Sequence, residues 1–211
     1  MRASLADQPG RAAADPPAGL AIALGANLPS PAGPPLATLQ ALRPLLAARL
    51  ADLRPEGVAP LPAQPGSGLR WSPLYRTAPV GGPAGQPDYL NAVVLVQPTR
   101  PPTDAAALAL LADLQALEQR FARKRREHWG PRSLDLDLIW WGELQCRSAA
   151  LTLPHPRLLE RAFVLAPLAA IDAQLTPPGA RATATQLLAQ LQQASPEPPP
   201  ARLPGQPGWP E

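Results

Sequence analysis

Residues 134–139 read Leu-Asp-Leu-Asp-Leu-Ile, and a strict two-residue alternation of this kind makes a β-strand with one apolar and one acidic face. Asp135 and Asp137 then project from the same face, with attachment points roughly 6.6 Å apart at about 3.3 Å of rise per residue. Two ionised carboxylates at that spacing repel by about 2 kcal/mol at an effective dielectric near 20. A divalent cation removes the repulsion, and hard oxygen donors suit Mg²⁺. Immediately upstream, residues 120–132 hold six Arg or Lys and a single acid. Arg predominates there, and its planar fork matches phosphate oxygens two at a time. A cationic loop leading into an acidic strand points to a metal-assisted site for polyphosphate. The plainer alternative is a solvated acidic face on an edge strand beside a solvated basic loop.

The rest of the chain supplies partners for that strand. A short apolar run at 20–24 ends in Gly25-Ala26-Asn27, a strand entering a turn. Leucines at 36, 39, 42, 46, 50 and 53 recur at three- and four-residue spacing, which predicts one helical stripe with Pro35 in its first turn. Strand patterns return at 69–76 and 89–96. A second helix is expected over 103–122, burying Leu110, Leu111, Leu114, Leu117 and Phe121. The order is β-α-β-β-α-β, so the fold class expected is α+β with a ferredoxin-like βαββαβ core. Strand and helix pieces over 151–170 and a short helix at 184–193 extend it at the C-terminal end.

Composition bounds the class. The chain has 211 residues, 45% of them apolar, enough for one domain with a core. That domain is expected over 19–194. The 32 prolines are unevenly spread. Residues 1–18 and the Pro-rich 195–211 are expected to be disordered tails, and 54–68 an insertion-like loop. Net charge is only +3, so the basic loop is local and the chain does not read as a general nucleic-acid binder. The lone Cys146 excludes an internal disulfide and a cysteine-rich zinc site. No stretch reaches eighteen consecutive apolar residues, so a cytoplasmic protein without membrane partners is expected.

Other candidate positions are individually ambiguous. Tyr89 and Asn91 share a strand face, where a ring and an amide could read a planar heterocycle or simply pack across strands. His155, between two prolines, could contact phosphate together with Arg161 or could be structural. Trp129 could stack on a base or cap the core. No phosphate-binding loop of the Gly-x-x-x-x-Gly-Lys type is present.

Taken together, the segments resemble the 6-hydroxymethyl-7,8-dihydropterin pyrophosphokinase family of folate biosynthesis. The likeness runs from about residue 20 to 191. Its strongest part is Trp129-Gly130-Pro131-Arg132-Ser133-Leu134-Asp135-Leu136-Asp137-Leu138-Ile139. Leu24-Gly25-Ala26-Asn27-Leu28, Tyr75-Arg76-Thr77-Ala78-Pro79 with Gln86-Pro87-Asp88-Tyr89-Leu90-Asn91, and Leu153-Pro154-His155-Pro156 with Arg161-Ala162-Phe163 follow in the expected order. The resemblance implies an enzyme that moves the β,γ-pyrophosphoryl group of ATP to the pterin hydroxymethyl oxygen, releasing AMP. It implies two Mg²⁺ ions on Asp135 and Asp137, and phosphate contacts from Arg123, Arg125 and Arg132. Leu111, Gln115, Trp129, Ile139, His155 and Arg161 are implied around ATP. Thr77, Ala78, Val80, Tyr89, Asn91, Trp129, Asp135 and Phe163 are implied around the pterin, with Tyr89 and Phe163 sandwiching the ring.

The same likeness implies small-molecule substrates, no nucleic acid and a monomer. Loops 123–132 and 79–85 are expected to close over the substrates. Departures are visible. The arginine loop is one residue shorter than in some members, Pro156 stands where some carry an aromatic residue, and Ala150 where some carry a nucleotide-contacting arginine. Two other classes remain to be distinguished: an RNA-binding ferredoxin-like sheet, and a different Asp-x-Asp transferase using a nucleotide sugar, which would release UDP or GDP instead of AMP.

Overall fold

The computed structural model describes residues 19–51, 53, 68–98, 101–123, 130–194 and 197–210. The expected tail 1–18, nearly all of the 54–68 loop, and Arg125 and Trp129 lie outside the described residues. The elements in chain order are β1 (Leu20–Ala26), α1 (Pro35–Ala51), β2 (Leu69–Trp71), β3 (Tyr75–Thr77), β4 (Tyr89–Val96), α2 (Asp104–Arg120), β5 (Asp135–Trp141), β6 (Cys146–Arg147), β7 (Thr152–Leu153), a 3₁₀ turn (Leu158–Glu160), α3 (Ala162–Ile171), α4 (Ala184–Ala194) and β8 (Ala201–Arg202).

Among the described residues the main sheet runs β5-β1-β4-β3-β8, with β2 also on β4. Every pairing in it is antiparallel. This is the expected βαββαβ core. The strand pattern expected as one run over 69–76 is two short strands, because Pro73 has no N–H for the ladder. Ser72 bridges the gap: its N–H donates to Val93 O at 2.9 Å, and its hydroxyl accepts the Val93 N–H at 2.9 Å.

Side-chain alternation sorts the sheet into two cores. Leu20, Ile22 and Leu24 of β1, with Leu136 and Leu138 of β5, pack under Leu39, Leu42, Leu46 and Leu50 of α1 and Leu110 and Leu114 of α2. The α1 stripe is the one the leucine spacing predicts. On the opposite face Ala21, Val93, Leu95, Ile139 and Trp140 pack against Val164, Leu165 and Leu168 of α3. A register shift at Ala21/Ile22 leaves Ile139 and Trp140 on the same face, the mark of a β-bulge. Thr103 caps α2 by accepting the Ala106 N–H at 3.1 Å.

The C-terminal segment corrects an expectation. Proline content predicted disorder over 195–211, but residues 197–210 are laid along the sheet. β8 pairs with β3, the Leu203 N–H donates to Leu74 O at 2.8 Å, and Trp209 is 6% exposed in the core beneath α1. A buried indole of this size outweighs the polar, Pro-rich composition around it. Among the described residues no helix is long and apolar enough to cross a membrane.

Candidate active site

The register aligns the site before any side chain is considered. Across three adjacent strands Asp135 of β5 lies opposite Gly25 of β1, and Gly25 opposite Asn91 of β4. One step along, Asp137 lies opposite Ala23. Thr77 of β3 lies opposite Tyr89. These residues occupy the sheet face away from α1 and α2, where Gly25 and Ala23 leave low ground between taller neighbours. A Cβ on Gly25 would stand 2.9 Å from Asn91 Oδ1, so the backbone there must be bare. The result is a cavity of about 540 Å³ whose floor is β1, within the size range of small-molecule sites.

One half of the cavity is flat and weakly polar. Asn91 is 6% exposed, and its Nδ2 donates to Thr77 Oγ1 at 2.7 Å. That bond sets the amide's orientation, leaving Oδ1 directed over Gly25. Tyr89 donates its hydroxyl to Gly130 O at 3.3 Å, and burial raises its pKa above the ordinary phenol value. Phe163, in the first turn of α3, forms the facing wall with Ala78, Pro79 and Val80.

The other half is charged. Asp135 meets Arg123 Nη1 at 2.6 Å and Arg132 Nη1 at 2.8 Å. Asp137 meets Arg161 Nη1 at 3.0 Å. Burial and the neighbouring Asp137 raise the Asp135 carboxyl above the usual carboxylate range, with Arg123 and Arg132 pulling the other way. The Arg161 guanidinium also lies 5.4 Å from the centre of the Phe163 ring, which ties the two halves of the cavity together.

Two residues that hold this arrangement have no role assigned from the sequence, although Asn27 belongs to a quoted motif. Glu118 in α2 is 4% exposed. It accepts the Leu136 N–H at 2.8 Å and pairs with Arg123, so it joins the acidic strand to the start of the cationic loop. In the sequence it is one acid among helix residues, and only its burial marks it. Asn27 accepts the Arg132 N–H at 2.7 Å through Oδ1 and donates from Nδ2 to Pro87 O at 3.0 Å. It thereby pins the turn before β5 to the loop before β4. A third residue, Arg157, lines the cavity.

The candidates from the sequence divide clearly. Thr77, Ala78, Val80, Tyr89, Asn91, Arg123, Arg132, Asp135, Asp137, Arg161 and Phe163 all line the one cavity. Leu111, Gln115, Ile139 and His155 are not among its walls. Leu111 packs against the α1–α2 core, and Ile139 is wholly buried on the α3 side. The Ile139 carbonyl accepts the His155 N–H at 2.7 Å, so the bulge anchors the histidine's loop. His155 Nδ1 accepts the Arg157 N–H at 3.1 Å, and burial with Arg161 and Arg157 nearby lowers its pKa to about 4.

Comparison with known proteins gives the same grouping a family. The profile of the 7,8-dihydro-6-hydroxymethylpterin-pyrophosphokinase (HPPK) family matches residues 21–173. The chain belongs to the HPPK family. It is 33% identical over 170 residues to the 2-amino-4-hydroxy-6-hydroxymethyldihydropteridine pyrophosphokinase of Haemophilus influenzae, covering 81% of this chain and 91% of that protein. The Pseudomonas aeruginosa protein of the same name is 37% identical over 160 residues, 76% of this chain and 84% of that one. The Synechocystis protein of that name is 44% identical over 122 residues, but the match covers 58% of this chain and only 59% of that protein's length. Among solved structures, an HPPK-DHPS crystallised in complex with substrates superposes with a TM-score of 0.53 at 11% identity, covering 85% of this chain and 44% of the longer one. At that identity the likeness is one of fold.

Proposed function

We propose that this HPPK-family chain transfers the β,γ-pyrophosphoryl group of ATP to the hydroxymethyl oxygen of 6-hydroxymethyl-7,8-dihydropterin, a step of folate biosynthesis. The observation that carries the reading is that one cavity brings the rings and amide of Tyr89, Phe163 and Asn91 together with the charges of Arg123, Arg132, Arg161, Asp135 and Asp137. A planar heterocycle and a polyphosphate are the two ligand types those groups fit.

In this reading the hydroxymethyl oxygen attacks the β-phosphorus, and the bond from that phosphorus to the α,β-bridging oxygen breaks. AMP leaves, and the hydroxyl proton passes to solvent or phosphate. Such a transfer asks little covalent chemistry of the protein and much positioning and charge neutralisation. Tyr89 and Phe163 hold the ring, and Asn91, fixed by Thr77, offers it hydrogen bonds. Arg123, Arg132 and Arg161 are already aimed into the site by Asp135 and Asp137, so they receive phosphate oxygens without first finding their geometry. The same pairing spares the cavity an uncompensated charge before ATP arrives.

The donor set fits Mg²⁺. Asp135 and Asp137 are hard oxygen ligands on one strand face, and among the described residues no third His, Cys, Asp or Glu joins them to form a metal cage. Mg²⁺ is commonly held by one or two carboxylates together with substrate phosphates. Two bound ions would neutralise the phosphates and polarise the β-phosphorus.

The test is AMP release from Mg·ATP with and without the pterin, comparing wild type with Asp135→Ala and Asp137→Ala. Pterin-dependent AMP is expected, falling roughly 10²-fold or more in each variant, the scale of losing one preorganised charged group. Folded wild type that releases no AMP would overturn the reading.

A further inference from the structure

The family profile ends at residue 173, yet the segment 197–210 is built into the sheet and walls a recess that shares Thr77, Val80 and Phe163 with the main cavity. Its anchor is Trp209. The indole Nε1 donates to Ser72 O at 2.9 Å, and its ring stands edge-on to Trp71 at 5.6 Å between centroids. The flanking backbone is held from α1, where Gln40 Nε2 donates to Pro207 O at 2.5 Å and Arg43 Nη1 to Gly208 O at 3.2 Å. From that anchor the chain runs along β3, with Arg202 opposite Tyr75 and Ala201 opposite Arg76. Its other end, Glu197 and Pro198 to Pro200, walls a recess of about 80 Å³ with Thr77, Val80 and Phe163. Those last three also line the main cavity.

β3 needs this support. It is three residues long, Pro73 separates it from β2, and without the C-terminal segment it would be the free edge of the sheet beside β4. A short strand with one partner is easily displaced. Yet β3 carries Thr77, the hydroxyl that orients Asn91 at 2.7 Å. Ser72, which Trp209 bonds, is the residue that closes the gap between β2 and β3 onto Val93.

We propose that segment 197–210 is a strap that positions the ring-binding half of the active site, with Trp209 as its positioning residue. It acts through Ser72 and β3 on Thr77 and Asn91, and through the proline run on Val80 and Phe163. Of the phosphate-facing residues only Arg161, which also lies against Phe163, borders the recess that the strap walls; Arg123, Arg132, Asp135 and Asp137 do not. The strap therefore sets affinity for the pterin far more than for the nucleotide. A strap that merely stabilised the fold would change the folded fraction and leave both affinities of the folded protein alone.

The inference rests on the pyrophosphokinase reading, and one experiment separates the two. The full-length chain, Trp209→Ala, Trp209→Phe and Leu203→Pro would be titrated calorimetrically well below their unfolding midpoints. Leu203→Pro removes the N–H that the strap gives to Leu74. The ligands are an ATP analogue with an uncleavable α,β-bridge in Mg²⁺, and then the pterin added to that complex. Trp209→Ala and Leu203→Pro are expected to weaken pterin binding about tenfold, equal to about 1.4 kcal/mol, with nucleotide affinity unchanged within about twofold, a difference under about 0.5 kcal/mol. Trp209→Phe, which keeps a ring but not the donor, is expected to recover most of the loss. Pterin affinity unchanged in both Trp209→Ala and Leu203→Pro, or both ligands weakened alike, would overturn the strap and leave the activity standing. Wild type that binds no pterin would overturn the activity and the strap together.

Discussion

Removing the Glu118 carboxylate tests whether the acidic strand and the cationic loop form one unit. In Glu118→Ala the buried Leu136 N–H loses its acceptor at 2.8 Å, a desolvation cost of about 1–3 kcal/mol. Arg123, only 13% exposed along its side chain, also loses one of two anionic partners but keeps Asp135 at 2.6 Å. Breaking a buried pair outright costs about 3–5 kcal/mol, and the surviving partner puts this loss well below that. The sum expected is about 3–4 kcal/mol, a large share of the ~5–15 kcal/mol that holds a domain together. Glu118→Gln should cost only about 1–2 kcal/mol, because its amide oxygen still accepts from Leu136 and only the charge is lost. Urea unfolding with a common slope measures both. The pairing with Arg123 also predicts slower pyrophosphoryl transfer in Glu118→Gln with pterin affinity retained. If Glu118→Ala lost less than about 1 kcal/mol, or Gln proved as costly as Ala, the two hydrogen-bonding roles would not be the source of the stability.

Gly25→Ala places a methyl group 2.9 Å from Asn91 Oδ1 and should weaken pterin binding about tenfold or more by turning the amide, at about 1 kcal/mol or more of strain; unchanged affinity in calorimetry would show that the amide does not read the ring. His155 carries a pH signature. Burial and the nearby Arg161 and Arg157 lower its pKa from the ordinary 6.5 to about 4 in the folded chain, so the unfolded state takes up a proton first as pH falls. The stability its neutral form contributes is complete above about 6.5 and is lost on acidification through about 4. The melting temperature of wild type should accordingly drop more between pH 7 and pH 4.5 than that of His155→Asn, and equal drops would rule the histidine out as the cause.

Much of the fold was legible because it rests on periodicity. The leucine stripe of α1, the apolar run of β1 and the Leu-Asp alternation of β5 are local patterns, and each maps onto the element observed. The carboxylate pair and most of the cavity lining could be read from motif order, since motifs at strand ends converge once the sheet is formed. Leu111, Gln115, Ile139 and His155, implied around ATP by the resemblance, are not walls of that cavity. Ile139 continues the strand pattern, but the bulge that decides which way it faces comes from cross-strand register, which no local window contains.

What the chain determined by itself is therefore the set of elements, their order and the residue types that put two carboxylates on one face of β5 beside a run of arginines. Only the tertiary structure decided which charges meet. Glu118 meets the Leu136 N–H and Arg123 meets Asp135 because α2 packs against β5, and Gly25 becomes the cavity floor because Asp135 and Asn91 flank it from two strands far apart in sequence. Composition predicts disorder for the Pro-rich C-terminal segment because it averages over residues, whereas order there depends on one indole finding a buried slot between α1 and Trp71. A burial of that kind is a property of the assembled surfaces, and no stretch of the segment's own sequence carries it.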